Sequence, residues 1–447
     1  MNAPTTVSRG LPVIGHLIDF GRDPIGFLTR LQHERGDTAT FSMGGRTQTV
    51  LTHPDDVETV LLETGRRFDK GYTSMGGYSV PRLLGNGLLT SEGNFWKRQR
   101  KLAQPSFHAA RIGRYAETMV SFTERMLNEW RGGELRDAHE DMMMLTQAIV
   151  AKTLFDADVT GEARDVGELL TRVLDGATEE MRSIQMMMPA NWMTPTRRRV
   201  DDAVSGLERS IARIIVDRRA SNTTHSDLLE MLMSARDDDG SAMSDAQLRD
   251  EVMTLYLAGH ETTANTLSWT WFELSRHPEV RERLEQELDT VLAGRSPTMD
   301  DLRSMPFTAA VVDETLRMYP AAWLFARCTT EDVQLRGVDI PRGAQLWISP
   351  YLLHHDARWF DAPEKFDPAR WLDGRTTGIH KYAYIPFGGG PRICIGNGFA
   401  KMEAALLLAG IAQHFRLTVT NPASVVPDPS LTLRPRDGVR VRVESRK

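Results

Sequence analysis

The chain has two cysteines, Cys328 and Cys394, and the second stands where a thiol can do chemistry. Cys394 lies in "PFGGGPRICIGNGFA" (386–400), between a glycine run and an apolar helical stretch, "FAKMEAALLLAGIAQHF". Glycines at 388–390 permit left-handed or close-approach backbone. A cysteine just before a helix N-terminus meets free N–H groups and the positive end of the helix dipole. Both favour the thiolate, and Arg392 adds positive charge. Such a sulfur has two roles open to it. A nucleophile needs a histidine base, which no pattern in the sequence specifies. An axial metal ligand needs a flat cofactor, for which flanking glycines leave room.

A second cluster lies in "AGHETT" (258–263), inside a long apolar run. Gly259 is a poor interior helix residue, and it lets something bulky approach the backbone. The Thr262 hydroxyl can bond the Ala258 carbonyl one turn back, which bends a helix. Glu261 and Thr262 read either as an acid and a hydroxyl set for proton delivery or as a kink with a solvated glutamate. Zinc proteases also carry His-Glu, but their motif needs a second histidine four residues on, and that position is Ala264. In "DETLRMYP" (313–320), Glu314 and Arg317 share a helix face and can pair. Most such pairs sit at the surface and contribute little. The adjoining "MPFTAAVV" places this one partly inside, as a structural pair.

Long helices must carry these groups. "SDAQLRDEVMTLYLAGHETTANTLSWTWFELSRHPEV" (244–280) opens on a capping box, Ser244 with Gln247, and closes at Pro278. A helix over 245–276 spans about 48 Å, enough to cross a domain. It is apolar round most of its middle, hence buried. Residues 110–130 and 198–220 are amphipathic with helical period. Strands are expected in a hairpin over 38–52 turning on Gly44-Gly45, in short pieces over 331–349, and in a terminal hairpin over 431–445. The fold expected is mainly α with small β-sheets, an α+β class. It forms a single domain over 1–447, with a β-rich N-terminal part over about 1–65 and a helical body over about 66–447.

Composition narrows the class. Hydrophobic residues make up 41% and charged residues 26%, ordinary for a globular protein long enough to enclose a cofactor. A net charge of −6, from 54 basic and 60 acidic side chains, gives no case for nucleic-acid binding. Two cysteines make no disulfide framework and fit a reducing compartment. No run reaches the roughly 20 apolar residues of a membrane helix. The short, broken N-terminal apolar stretch is no signal peptide. A soluble, cytoplasmic protein is expected.

"FGGGPRICIG" (387–396) resembles the haem loop of the cytochrome P450 superfamily, Phe-x-x-Gly-x-Arg-x-Cys-x-Gly. "AGHETT" is similar to that family's oxygen-activating helix signature, and "ETLR" to its Glu-x-x-Arg pair. "FDPARW" (366–371) resembles the segment whose arginine completes a triad with that pair. "GLLTSEGNFWKRQRKLAQPSF" (87–107) resembles the helix with a tryptophan and an arginine four apart. The motifs come in the family's order, and the likeness runs from "LPVIGH" to the C-terminal strands. The resemblance implies a long central helix crossing over a buried haem b (iron protoporphyrin IX). It implies Cys394 as the thiolate ligand of the iron, with Phe387 over the sulfur and Gly396 closing the loop. Ala258 and Gly259 would line the cofactor. Trp96, Arg100, Arg327 and Arg392 would hold the two propionates, and Glu314, Arg317 and Arg370 would form the triad. Cys328 has no implied role and is expected in the core.

The resemblance also implies an O2-dependent monooxygenase that inserts one oxygen atom into a C–H bond of a lipophilic small molecule. Thr262 would pass protons to the oxygen being reduced, and Glu261 would feed them through it. The alternatives are a haem-thiolate peroxygenase or isomerase, and a non-catalytic haem-binding protein; the intact acid–threonine pair argues against a peroxide-dependent relative. No fused reductase is expected. Electrons are therefore expected from a separate ferredoxin or flavodoxin with an NAD(P)H-dependent reductase, over a basic dock of Lys97, Arg98, Lys101 and Lys401. By family position the substrate pocket draws on Tyr72, Met75, Leu83, Leu84, Met187, Ala322, Trp323, Leu324 and Leu431. Its apolar character fits a fatty acid or a terpenoid, and Arg82 is a candidate anchor for a carboxylate.

Overall fold

The computed structural model describes residues 10–446, except 72–76, 157–161, 184, 186–187, 221–226 and 238–239. The chain enters through helices α1 (Leu17–Arg22) and α2 (Pro24–Arg35) and the strands β1 (Thr38–Met43) and β2 (Arg46–Leu51). Gly44 and Gly45, with φ of 60° and 73°, make the hairpin turn. Two successive positive φ values suit glycine alone without strain. Helix α3 (Pro54–Leu62) follows, so the part expected as β-rich holds more helix than strand. The reason is coverage: the hairpin has an apolar face, and Phe27, Leu28 and Leu31 of α2 close over Phe41, Val50 and Trp347.

The helical body then runs through β3 (Phe68–Asp69), α4 (Ser79–Leu84), α5 (Gly93–Ala103), α6 (Ala109–Glu129), β4 (Leu135–Asp137), α7 (Ala138–Phe155), α8 (Glu162–Met181), α9 (Pro195–Ala220) and α10 (Leu228–Ser234). Next comes the long helix, α11 (Asp245–Arg276). Its start is the capping box read from the sequence: Gln247 N donates to Ser244 Oγ at 3.3 Å, and Ser244 N to Gln247 Oε1 at 2.8 Å. Its end falls before Pro278, which opens α12 (Pro278–Leu292) instead of merely stopping the chain. Most of α11 from Leu248 to Leu274 is buried, as a helix apolar on all sides must be.

The chain closes with α13 (Pro306–Met318), β5 (Phe325–Thr329), β6 (Val333–Leu335), β7 (Val338–Ile340), β8 (Gln345–Ile348), α14 (Pro350–His354), α15 (Asn397–His414), β9 (Phe415–Val419), β10 (Pro427–Pro429), β11 (Leu433–Pro435) and β12 (Arg440–Ser445). The sheets run β1-β2-β8-β5-β3, β4-β12-β9, β10-β11 and β6-β7. The terminal hairpin expected over 431–445 does not form. β11 pairs with β10, whereas β12 lies between β9 and β4. Gly438, with φ of 75°, carries the chain from one sheet to the next. Cys328 is half-buried in β5, opposite Gln345, not a core residue. One apolar cluster joins α6, α7, α11, α13, α15, β9 and β12, so the central helix is packed by elements from the whole body.

Candidate active site

The glycine run before Cys394 is shaped by its neighbours. Gly388 and Gly390 take φ of 69° and 63°. A Cβ on Gly390 would collide with the Leu61 carbonyl of α3, and one on Gly389 would come within 2.7 Å of the Tyr382 ring. These two glycines therefore make room for α3 and Tyr382, whereas a Cβ on Gly388 would meet open space. The turn returns through Cys394 N, which donates to Phe387 O at 2.9 Å. Phe387 packs against the cluster of α11, α13 and α15. Gly396 is the N-cap of α15. The Cys394 side chain is accessible, yet burial dominates its titration and pushes the thiol up. The two facts together describe a sulfur facing a cleft within the fold. The Gly396 N–H and the Arg100 charge pull the other way but do not win. Arg100, not Arg392, is the charge that acts on the thiol. A metal cation on the sulfur would reverse the balance, because coordination deprotonates a thiol.

Beneath the loop the triad is closed. Arg317 Nε and Nη2 donate to the two Glu314 oxygens at 2.9 Å, and Arg370 Nε donates to Glu314 Oε1 at 3.0 Å. The Asp367 amide and the Trp371 indole N–H complete the carboxylate, each at 3.0 Å. The pair is fully buried, more so than the sequence suggested. His354 links this cluster to the cysteine loop. Its Nδ1 lies 3.0 Å from Arg317 O, and its Nε2 accepts from Ile385 N at 2.9 Å. One neutral tautomer, with the proton on Nδ1, satisfies both bonds. Burial holds His354 well below the usual histidine range, which keeps that tautomer.

On α11, Ala258 is exposed and Gly259 and Thr262 are half-buried, while Leu257, His260, Glu261 and Thr263 are buried. An accessible strip therefore runs along one face of a buried helix. The Thr262 hydroxyl donates to Ala258 O at 2.8 Å, as its spacing predicted. Gly259 serves helix packing: a Cβ there would sit 3.0 Å from Val150 of α7. Glu261 turns away from the strip and accepts from the Thr432 hydroxyl at 2.6 Å. Burial raises its pKa, partly offset by Thr432 and by the Arg434 charge.

The cations implied for the propionates converge, with one addition. Arg392 lies 4.1 Å over the Trp96 ring and Arg100 5.9 Å from it. Arg100 Nη1 donates to Ile393 O at 2.9 Å, Arg327 Nε to Thr64 Oγ1 at 3.2 Å, and Arg392 Nη2 to Glu92 at 2.7 Å. Lys70, in no motif, is buried beside them and donates to Leu89 O at 2.6 Å. Burial, then Arg327 and Arg392, push its ammonium well below the usual lysine range against Glu92. A partly buried cluster in which cations outnumber carboxylates fits a dianionic edge. With the accessible sulfur and the accessible strip of α11, these residues fit a haem.

The pocket residues divide. Leu83, Leu84 and Leu431 pack in one cluster with Val252, Leu255 and Leu257 of α11. Trp323 and Leu324 pack instead with Phe27, Phe41 and Trp347 beneath the N-terminal sheet, and the Trp323 indole N–H donates to Ser430 O at 2.9 Å. Ala322 is exposed. Tyr72, Met75 and Met187 lie outside the described residues. Arg82 is no free anchor: it pairs with Asp201 at 2.6 Å and Glu208 at 2.7 Å on α9. The basic dock is also reduced, since Arg98 pairs with Asp237 at 2.8 Å and Lys401 with Asp313 at 2.5 Å. Lys97 lines a surface cleft with Arg66, Trp96, Pro391 and Arg392.

A family model described as "Cytochrome P450" matches residues 6–441. Cyclooctatin synthase of Streptomyces melanosporofaciens is 38% identical over 432 residues, 96% of this chain and 93% of that protein. Pentalenene oxygenase of Streptomyces avermitilis is 35% identical over 446 residues, 99% of this chain and 97% of that protein. Cyclooctat-9-en-7-ol 5-monooxygenase of Streptomyces melanosporofaciens is 35% identical over 414 residues, 92% of this chain and 89% of that protein.

Proposed function

The chain belongs to the cytochrome P450 family of haem-thiolate monooxygenases, and from that premise we propose that it hydroxylates a neutral cyclic terpenoid. The carrying observation is Arg82. The cation best placed to anchor a fatty-acid carboxylate is already neutralised by Asp201 and Glu208. The three expected pocket side chains grouped with α11, Leu83, Leu84 and Leu431, are leucines, which recognise shape and hydrophobic area and no charge. Relatives named for pentalenene and cyclooctat-9-en-7-ol support the same class.

Haem b is the cofactor assigned, and when bound it supplies the reductive activation of O2. Cys394 would hold its iron, and Trp96, Arg100, Arg327 and Arg392, joined by Lys70, its propionates. Thr262 is the proton donor on the accessible strip, its hydroxyl swinging from Ala258 O to the reacting oxygen. Glu261, kept from ready ionisation by burial, resupplies it. The leucines exclude water, so protons arrive through these two groups. Electrons come from a ferredoxin or flavodoxin with its NAD(P)H-dependent reductase, docking where Lys97 and Arg66 flank the Trp96 cleft. No helix among the described residues is long and apolar enough to cross a membrane, and we assign the enzyme to the cytoplasm as one soluble haem-binding domain.

The test is a titration of the purified, haem-loaded protein with pentalenene, cyclooctat-9-en-7-ol and lauric acid, read as the spin-state shift of the Soret band. The terpenoids shift the band and lauric acid does not. Lauric acid acting at lower concentration than both terpenoids would overturn the substrate class. A reduced carbon-monoxide complex without the red shift of a thiolate ligand would remove Cys394 from the iron.

A further inference from the structure

Three side chains on successive turns of α11 grip the C-terminal turn between β10 and β11. Glu261 Oε1 accepts from the Thr432 hydroxyl at 2.6 Å, Asn265 Nδ2 donates to the same hydroxyl at 3.0 Å, and the Trp269 indole N–H donates to Leu433 O at 3.1 Å. All of these side chains are buried. From its other side the turn is held by Leu433 N, which donates to Ala321 O at 3.0 Å. Rotating it away would leave these buried polar groups without partners.

The chain of bonds has a direction. An amide N–H only donates, so Asn265 occupies a lone pair of the Thr432 oxygen. The single Thr432 proton then points to Glu261 Oε1. In a carboxylic acid the carbonyl oxygen is the better acceptor, so the proton of neutral Glu261 sits on Oε2. We propose that Thr432, oriented by Asn265, is a positioning residue for Glu261: it ties down Oε1 and leaves Oε2 as the oxygen that gives and takes protons. The inference rests on Glu261 being the proton source. Two other elements set the Glu261 charge, Arg434 of β11 and Asp175 of α8, which lie 3.2 Å apart and act in opposite senses.

Thr432→Val keeps the shape and drops the hydroxyl; Thr432→Ser keeps the hydroxyl. The first readout needs no turnover. It is an infrared pH titration of the haem-loaded, substrate-free protein, following the protonated-carboxyl band that Glu261→Gln removes. Losing a donor disfavours the carboxylate, so in Thr432→Val the band persists to higher pH by about half a unit or more. In Thr432→Ser it returns to the wild-type position. The second readout is the fraction of electrons recovered in product, with whichever of pentalenene and cyclooctat-9-en-7-ol shifts the Soret band. Thr432→Val lowers that fraction several-fold, and adding it to Glu261→Gln lowers it no further. If the valine disturbs the turn, Thr432→Ala gives the same comparison against serine. An unchanged band and yield in Thr432→Val, with Glu261→Gln impaired, overturns the positioning role. An unchanged yield in Glu261→Gln overturns instead the relay reading on which the inference rests, whatever the band does.

Discussion

Two arginine–carboxylate networks flank the site, alike in chemistry and unlike in burial. In the triad of Glu314, Arg317 and Arg370 the side chains are 0–2% exposed. In the network of Arg82, Asp201, Glu208 and Arg249, which ties α4 to α9 and α11, they are 18–39% exposed. The first is desolvated and its carboxylate is filled by five N–H donors, so its members are needed together. The second is reached by water, which replaces any bond that is lost. Ion pairs with the same partners thus act as scaffold beneath the cysteine loop and as a latch above α11.

Glu314→Gln should break the scaffold most. It leaves two buried guanidiniums short of a charge and lowers stability by about 3–5 kcal/mol, read as a fall in the urea midpoint together with loss of bound haem. A fall no larger than that of an exposed pair would abolish the distinction. Arg197→Met sharpens it. Arg197 is on α9, on the latch side, but is 0% exposed and pairs with Glu180 of α8 at 2.7 Å. It also donates to the carbonyls of Gln185, Met188, Pro189 and Trp192. If burial decides, its loss costs about 3 kcal/mol or more; if position decides, the variant resembles the next one.

Arg82→Gln is expected to cost less than about 1 kcal/mol. Its difference from wild type should shrink at high salt, and terpenoid binding should persist. Continued discrimination against lauric acid in this variant would identify Arg82 as a latch and not an anchor. The smallest effect is in pH. Hydrogen bonds from Arg82 hold Asp201 and Glu208 below the usual carboxylate range. A depressed carboxylate stabilises the fold above its unfolded pKa and ceases to do so as pH falls through its folded value. Wild type and Arg82→Gln should therefore differ at neutral pH and converge below about pH 4, as followed by thermal melts across that range.

Legibility followed distance along the chain. The capping box at Ser244, the Gly44-Gly45 turn, the Thr262–Ala258 hydrogen bond and the Glu314–Arg317 pair each join residues close in sequence, and each was readable. That Cys394 stands just before a helix was readable because the two are contiguous; that Gly389 and Gly390 face Tyr382 and Leu61 was not. What could not be read needs partners far off. Lys70 is defined by Arg327 and Arg392, Thr432 by Glu261, and His354 by Ile385; none carries a local pattern. Arg82 looked available because Asp201 and Glu208 lie on α9, more than a hundred residues on. The false terminal hairpin has the same cause, since β12 finds its partners in β9 and β4.

The meeting of Gly390 with the Leu61 carbonyl has a consequence for the order of assembly. The cysteine loop leans on backbone from the opposite end of the chain, so it cannot take its shape before α3 has docked. Contacts between such distant residues form late, because loop closure is entropically unfavourable until much else is in place. A chain still emerging from the ribosome presents Lys70 and Arg100 long before it presents Arg392 and Cys394. With Cys394 holding the iron as proposed, cofactor capture would be a checkpoint on finished synthesis: a chain truncated before it would stay colourless, however well its helices form.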